Sequence, residues 1–118
     1  MRNMFKQAVT LAAFGVCTIA GLAVAKADVI RVALVVAENQ ADYENNVALV
    51  PTFANLLKKG PVKATYSGTD PAKHTIVTTS VWASEADIKT VTDTPEWKAS
   101  AGKLKYKAYT AEVFQVAP

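Results

Sequence analysis

The sequence predicts one α+β domain, in which helices pack on one face of a four-stranded antiparallel sheet. Four runs of strand length carry the prediction: the β-branched run 29–37 (VIRVALVVA), 62–66, 74–82 and 106–116. Helical patterns separate the first run from the second and the third from the fourth. Between the second and third runs, residues 67–71 (SGTDP) are rich in turn formers, which predicts a hairpin loop there.

The first strand is apolar on both faces. One face carries Ile30, Val32, Leu34 and Val36, and the other carries Val29, Ala33 and Val35, with Arg31 as its exception. Such a strand is expected to be covered on both sides. Helices of the same chain can supply one cover, and a second subunit is expected to supply the other.

A long helix is predicted from Ala41, because the spacing of its apolar residues forms one stripe: Tyr43, Val47, Val50, Ala54 and Leu57. Gly60 is a natural residue just beyond its end. Pro51 either kinks this helix or begins a shorter one. We favour one kinked helix.

Two short helices are predicted before the last strand. Ser84 can cap the first, at 85–91, and Asp93 or Thr94 can cap the second, in which Pro95 takes the favoured first position. The last strand, 106–116, does not keep a strict alternation, so a bulge is expected. The order β-α-β-β-α(α)-β is that of the ferredoxin-like fold. Pairing of two bare sheet faces in a homodimer would complete it.

The N-terminus has the features of a cleaved signal peptide at 1–27. Arg2 and Lys6 precede an uncharged apolar stretch at 8–24, and Ala25-Lys26-Ala27 resembles a cleavage site. A retained membrane helix or a lipid anchor on Cys17 are the alternatives, and we favour cleavage because the apolar stretch is short of a membrane span. The mature domain would then be 28–118, in the periplasm or secreted.

Cleavage changes the bulk properties of the chain. Of 13 basic residues, ten remain after removal of the signal peptide, and they balance ten acidic residues. A neutral domain gives no reason to expect nucleic acid or, after cleavage, a membrane as partner. Loss of Cys17 leaves no thiolate, and one histidine with scattered carboxylates gives no metal-ligand spacing. No cofactor is expected.

Residues 77–99 resemble the antibiotic biosynthesis monooxygenase family of the dimeric α/β-barrel superfamily. The resemblance rests on Val81-Trp82 with Ser84-Glu85 and on Pro95-Glu96-Trp97-Lys98 one short helix later. It implies a homodimer and a cofactor-independent monooxygenase that acts on a small aromatic or quinone-like compound. The alternative is a non-catalytic binding or stress-related module that holds a small apolar molecule in the same cleft.

The resemblance argues against haem degradation. Asn39 after the first strand and Trp82 at the end of the third match the haem-degrading members of the superfamily. The haem-ligating histidine of those members would fall near Ala101, where this chain has none. The sole histidine of the chain, His74, lies on another element.

Three residues are candidates for catalysis: Asn39, Trp82 and His74. Asn39 could donate a hydrogen bond to a bound carbonyl or to reduced oxygen, or it could cap the helix that follows. Trp82 could line a cleft or anchor a strand to a helix. His74 could be a general base or a solvated surface residue. For each we favour the second interpretation.

The substrate cleft is expected between helices and sheet, lined by Tyr43, Val47, Phe53 and Tyr66. Tyr43, Tyr66 and Tyr109 could orient a phenolic ligand. The alternative is that these tyrosines belong to the core, with their hydroxyls at its rim.

Overall fold

The computed structural model describes residues 27–117, which form a four-stranded antiparallel sheet and three helices. The strands are β1 (Val29–Val36), β2 (Ala64–Asp70), β3 (Thr75–Trp82) and β4 (Ala108–Gln115). The helices are α1 (Gln40–Lys59), α2 (Glu85–Thr92) and α3 (Pro95–Ala101). The strand order is β2-β3-β1-β4, so the predicted ferredoxin-like α+β fold is confirmed. The predicted signal peptide lies outside the described residues, except for Ala27.

β1 is a central strand, paired with β3 on one side and β4 on the other along its whole length. Its odd-numbered residues, from Val29 to Val35, are buried, whereas Leu34 on the other face is exposed. The helices therefore cover the odd-numbered face. Arg31 lies on this covered face and is buried with its apolar neighbours.

α1 begins after Asn39, whose side chain accepts a hydrogen bond from the Asp42 amide at 2.9 Å. The helix continues through Pro51 to Lys59, which confirms the single-helix interpretation. Ser84 caps α2 and Thr94, rather than Asp93, caps α3. In both caps the side-chain oxygen accepts a backbone amide hydrogen bond of the first turn.

Two local predictions were wrong, a loop and a bulge. Residues 67–70 of the expected hairpin loop belong to β2, because they pair with β3 as far as Asp70↔Thr75, and the turn is formed by Pro71–Lys73 and His74. The bulge expected in the last strand is not found in its pairing with β1, which runs without interruption from Val29↔Gln115 to Val36↔Ala108. β4 is an edge strand and most of its residues are exposed, so burial does not impose alternation on it.

The core consists of two clusters between sheet and helices. The first surrounds Trp82 and contains Val29, Leu57, Ile88, Val91 and Trp97. The second contains Ala37, Tyr43 and Ile76, with Val47 and Val50 packed against it. In the part of the chain that the structure describes, no helix has both the length and the apolarity to cross a bilayer.

Candidate functional site

A cavity lies between the covered face of the sheet and helices α1 and α3. Its volume, counted as the space open to the centre of a water-sized sphere, is about 50 Å³, and one side opens to solvent. This is below the roughly 300–1,000 Å³ of typical small-molecule sites, so a bound ring system would extend from the cavity towards its open side. The lining is mostly apolar and aromatic, and it consists of Arg31, Ala33, Val35, Asn46, Val50, Phe53, Ile76, Thr78, Trp97, Ala101, Leu104 and Tyr109.

Among the described lining residues, Arg31 is the only one that carries a formal charge. The residue is 7% exposed, because β1 directs its side chain under the helices. The Nη2 group donates a hydrogen bond to the Tyr109 hydroxyl at 3.1 Å, and the guanidinium carbon lies 5.5 Å from the centre of the Trp97 ring. A cation over an indole ring is a favourable contact. Within residues 27–117, no carboxylate forms an ion pair with Arg31; the ion pair found there joins Lys63 to Asp28 at 2.8 Å.

Aromatic rings form the wall of the cavity opposite the sheet and at its edge. Phe53 of α1 and Trp97 of α3 meet edge to face, with ring centres 4.9 Å apart and an interplanar angle of 70°. Tyr109 of the edge strand contacts Tyr106 with ring centres 5.5 Å apart. These rings offer a flat apolar ligand faces and edges against which to stack.

Asn46 fixes the end of the cavity near the loop between α3 and β4. Its side-chain amide is 1% exposed and makes two hydrogen bonds to the backbone of Lys105. The neighbouring Asn45 donates to the Lys103 carbonyl at 3.0 Å. Together the two asparagines hold the loop that carries Leu104 against α1.

The three residues predicted to be catalytic lie outside the lining. Asn39 is exposed and caps α1. His74 ends the turn between β2 and β3 in a left-handed conformation with φ 51°, and its ring centre lies 6.0 Å from that of Tyr43. Trp82 is completely buried in the first core cluster, where its indole Nε1 donates to the Ser80 hydroxyl at 2.8 Å. Their catalytic roles stay predictions.

Of the four residues predicted to line the cleft, the structure places Phe53 in the cavity. Tyr43 and Val47 belong to the second core cluster, which adjoins the cavity at Ile76 and Val50. Tyr66 is 68% exposed and pairs with Thr79, on the face of the sheet away from the helices. Tyr109 does reach the cavity and orients its hydroxyl towards Arg31.

The polar groups of the lining set the chemistry that the cavity can perform. They are the guanidinium of Arg31, the amide of Asn46 and the hydroxyls of Thr78 and Tyr109. No carboxylate, imidazole, amine or thiol is among the described lining residues, so general-base catalysis has no obvious agent there. No cluster of three or more potential metal ligands occurs among residues 27–117.

The fold has clear relatives among solved structures. SnoaB, a cofactor-independent oxygenase from Streptomyces nogalater, superposes with a TM-score of 0.63 at 14% identity, over 78% of this chain and 95% of SnoaB. A protein of Caulobacter crescentus CB15, provisionally named an antibiotic biosynthesis monooxygenase, gives 0.68 at 13% identity, over 80% and 93% of the two chains. A protein of Deinococcus radiodurans with the same provisional name gives 0.67 at 12% identity, over 76% and 93%.

The chain has the fold of antibiotic biosynthesis monooxygenases. The similarity resides in the structure, since no protein-family model and no curated protein sequence matches this chain. It agrees with the resemblance identified from Trp82, Ser84-Glu85 and the Pro95-Glu96-Trp97 segment. Most of these residues serve the architecture, as the core anchor Trp82 and the cap Ser84 show.

Sequence reasoning missed most of the cavity lining, including its two buried polar residues, Arg31 and Asn46. Arg31 is the single charged residue on an otherwise apolar strand face. This pattern indicates a buried charge, which is uncommon in a protein core. Asn46 left a weaker signal, because it falls among the apolar positions of the α1 stripe, between Tyr43 and Val50. Trp97 was assigned to the core, and it lies in both the core cluster and the cavity lining.

Proposed function

We propose that this chain binds a small aromatic or quinone-like compound in the cavity and supports its cofactor-independent oxygenation. The observation that carries the proposal is the cavity itself, whose wall combines the edge-to-face pair Phe53 and Trp97 with Tyr109. The fold that it shares with SnoaB, a cofactor-independent oxygenase, supports the reaction class.

In the proposed reaction the substrate supplies the electrons. An activated CH₂ group beside a carbonyl loses a proton to form an enolate, which transfers electrons to dioxygen. One oxygen atom becomes the new carbonyl and the other leaves as water, so R₂CH₂ and O₂ give R₂C=O and H₂O. Since the described lining holds no base, the proton leaves to solvent through the open side of the cavity, and the substrate must be readily ionised. Where the aromatic wall contacts the substrate, it shields the reactive intermediate from water on that side.

Oxygen uptake in the presence of reduced quinones and phenolic ketones tests this proposal. Ala101→Leu places a larger side chain in the cavity lining and should abolish uptake. Ala99→Leu is the matched control, because Ala99 is exposed on the same helix, and it should leave uptake unchanged. Equal rates for the two variants, or no uptake by the unaltered protein with any of these compounds, would contradict an oxygenase that uses this cavity.

A non-catalytic binding function is the second candidate, and the lack of a general base in the described lining favours it. The same pair of variants separates the candidates when binding is measured beside oxygen uptake. A binding protein takes up the aromatic compound, loses it on Ala101→Leu and consumes no oxygen.

A homodimer and export complete the proposal. The sheet face away from the helices carries Ile30, Val32, Leu34, Val77 and Val81, and Leu34 is exposed. A second copy of the chain is the occupant we propose for this face, because its apolar residues lie in the centre of the sheet and would pair with themselves about a two-fold axis. Export to the periplasm or the medium is proposed from the signal-like segment 1–27.

A further inference from the structure

We infer that the ligand of the cavity carries an anionic oxygen group, in the first place a carboxylate, which pairs with Arg31. The inference rests on the proposed function and deepens it by assigning the charge of the ligand. It applies equally to a substrate and to a ligand that is bound without reaction.

Arg31 is a buried charge in the wall of the cavity. Arg31 is 7% exposed and lines the cavity, and within residues 27–117 it has no carboxylate partner. A buried charge without a counter-charge is costly, because desolvation is only partly offset by neutral contacts. A ligand anion would supply the missing counter-charge in a site of low dielectric constant.

Within residues 27–117, Arg31 uses one of its side-chain N–H groups in a hydrogen bond. A guanidinium has five N–H groups in a planar fork, and the Tyr109 hydroxyl accepts one of them. The contact with the Trp97 ring, 5.5 Å from the guanidinium carbon to the ring centre, is a cation–π contact and provides no oxygen or nitrogen acceptor. The remaining fork matches the two oxygens of a carboxylate.

Tyr109 adds a second donor at the same point. Since its oxygen accepts the hydrogen bond from Arg31, the hydrogen of its own hydroxyl is left for another acceptor. Tyr109 also lines the cavity. A carboxylate beside Arg31 would therefore receive hydrogen bonds from both residues, while the aromatic body of the ligand lies against Phe53 and Trp97.

Packing alone does not account for a guanidinium at this position. An unbranched apolar side chain such as methionine would fill much of the same space and contact Trp97 without a desolvation cost. Replacement of a buried charge by an apolar residue is often neutral or stabilising in the absence of a ligand. Arg31→Met therefore separates a role in ligand binding from a role in packing. If Arg31 binds the ligand, the variant no longer binds the anion; if Arg31 only packs, the variant is less stable.

Titration with a matched acid and amide tests the inference. The probes are 2-naphthoate and 2-naphthamide, which share a ring system and differ in charge, and binding is followed by calorimetry. We expect the unaltered protein to bind the acid at least about tenfold more tightly than the amide, as a charge-assisted hydrogen bond provides. Arg31→Met should reduce binding of the acid to the level of the amide without lowering the melting temperature. Lys63→Met, which removes an exposed cation outside the cavity, should change neither the binding of the acid nor the melting temperature.

The outcomes distinguish this inference from the proposed function. Equal affinity for acid and amide, or an acid preference that survives Arg31→Met, would overturn the inference and leave aromatic binding intact. Binding of neither probe would count against both. If Arg31→Met does not fold, Tyr109→Phe tests the same contact and should reduce the preference for the acid, and an unchanged preference would contradict the two-donor site.

Discussion

Asn46 and Lys105 are joined by two hydrogen bonds between one side chain and one backbone unit. The Asn46 Nδ2 donates to the Lys105 carbonyl at 2.8 Å, and the Asn46 Oδ1 accepts from the Lys105 amide at 2.9 Å. The pair spans 59 residues of sequence and ties α1 to the segment that leads into β4. The side-chain amide of Asn46 thus satisfies both backbone polar groups of Lys105, as a neighbouring β-strand would.

Removal of this side chain should destabilise the fold and loosen the cavity. We expect Asn46→Ala to lower the free energy of unfolding by about 1–3 kcal/mol, because the buried hydrogen bonds are lost and the side chain leaves a gap. Asn55→Ala, on an exposed position of the same helix, should change it by less than about 0.5 kcal/mol. Urea denaturation of both variants measures the difference, and equal stabilities would contradict a structural role for the pair.

Two substitutions of Asn39 distinguish its capping role from the predicted catalytic role. Asn39→Ala should lower stability by about 0.5–2 kcal/mol through loss of the cap, and Asn39→Ser should restore most of it, since serine is an equally good cap. If the residue only caps α1, oxygen uptake at a temperature well below unfolding is the same in all three proteins. Loss of uptake in both variants, including the stable serine variant, would instead establish the catalytic role predicted from sequence.

Gly60 and Gly102 follow helices in different surroundings. A Cβ built on Gly60 would overlap the Cγ2 methyl of Val91, whereas on Gly102 it would meet only backbone carbonyls at 3.4 and 3.5 Å. We expect Gly60→Ala to cost about 1–3 kcal/mol by overpacking. Gly102, with φ −66° and ψ −15°, is compatible with alanine, and its substitution should stabilise the protein by up to about 1 kcal/mol. Thermal unfolding of the two variants in parallel checks the opposite signs.

A charged substitution on the sheet face away from the helices should prevent dimerisation. Leu34 lies at its centre, paired with Val77 on one side and Thr110 on the other. The unaltered protein should be a dimer at micromolar concentration, and Leu34→Lys should be a folded monomer, because a buried lysine would disrupt the apolar contact. Ala99→Lys adds the same charge on the helical side and should stay dimeric. Light scattering that shows a monomer for the unaltered protein would contradict the dimer.

Most of the fold could be predicted from the sequence because local and global signals agree in it. Each element has its own signal: β1 is apolar on both faces, α1 has an apolar stripe, and Ser84 and Thr94 cap the two short helices. Together these signals predict the order of strands and helices. The errors arose where composition and pairing disagree. Residues 67–70 have the composition of a turn, but the hydrogen bonds available from β3 extend them into β2.

The cavity could be predicted only in outline. Its lining brings together residues from all parts of the chain, such as Arg31, Phe53 and Tyr109, and which of them meet depends on the register of β1 with β4. Periodicity assigns Tyr43 and Val47 to the inner face of α1, and both are there, but it does not distinguish a filled core from an adjoining space. Tyr66 illustrates the same limit, since the composition of a short strand does not reveal which face the helices cover.

The central claim is that the ligand lies in the cavity beside Arg31 and Trp97. The chain has two tryptophans, and Trp97 lines the cavity whereas Trp82 is buried in the core. Nuclear magnetic resonance of the indole N–H groups during titration with 2-naphthoate tests the claim most directly. The account predicts that the Trp97 resonance, assigned by Trp97→Phe, shifts with saturation while that of Trp82 stays in place. A saturable shift of neither resonance, or of Trp82 alone, would contradict it.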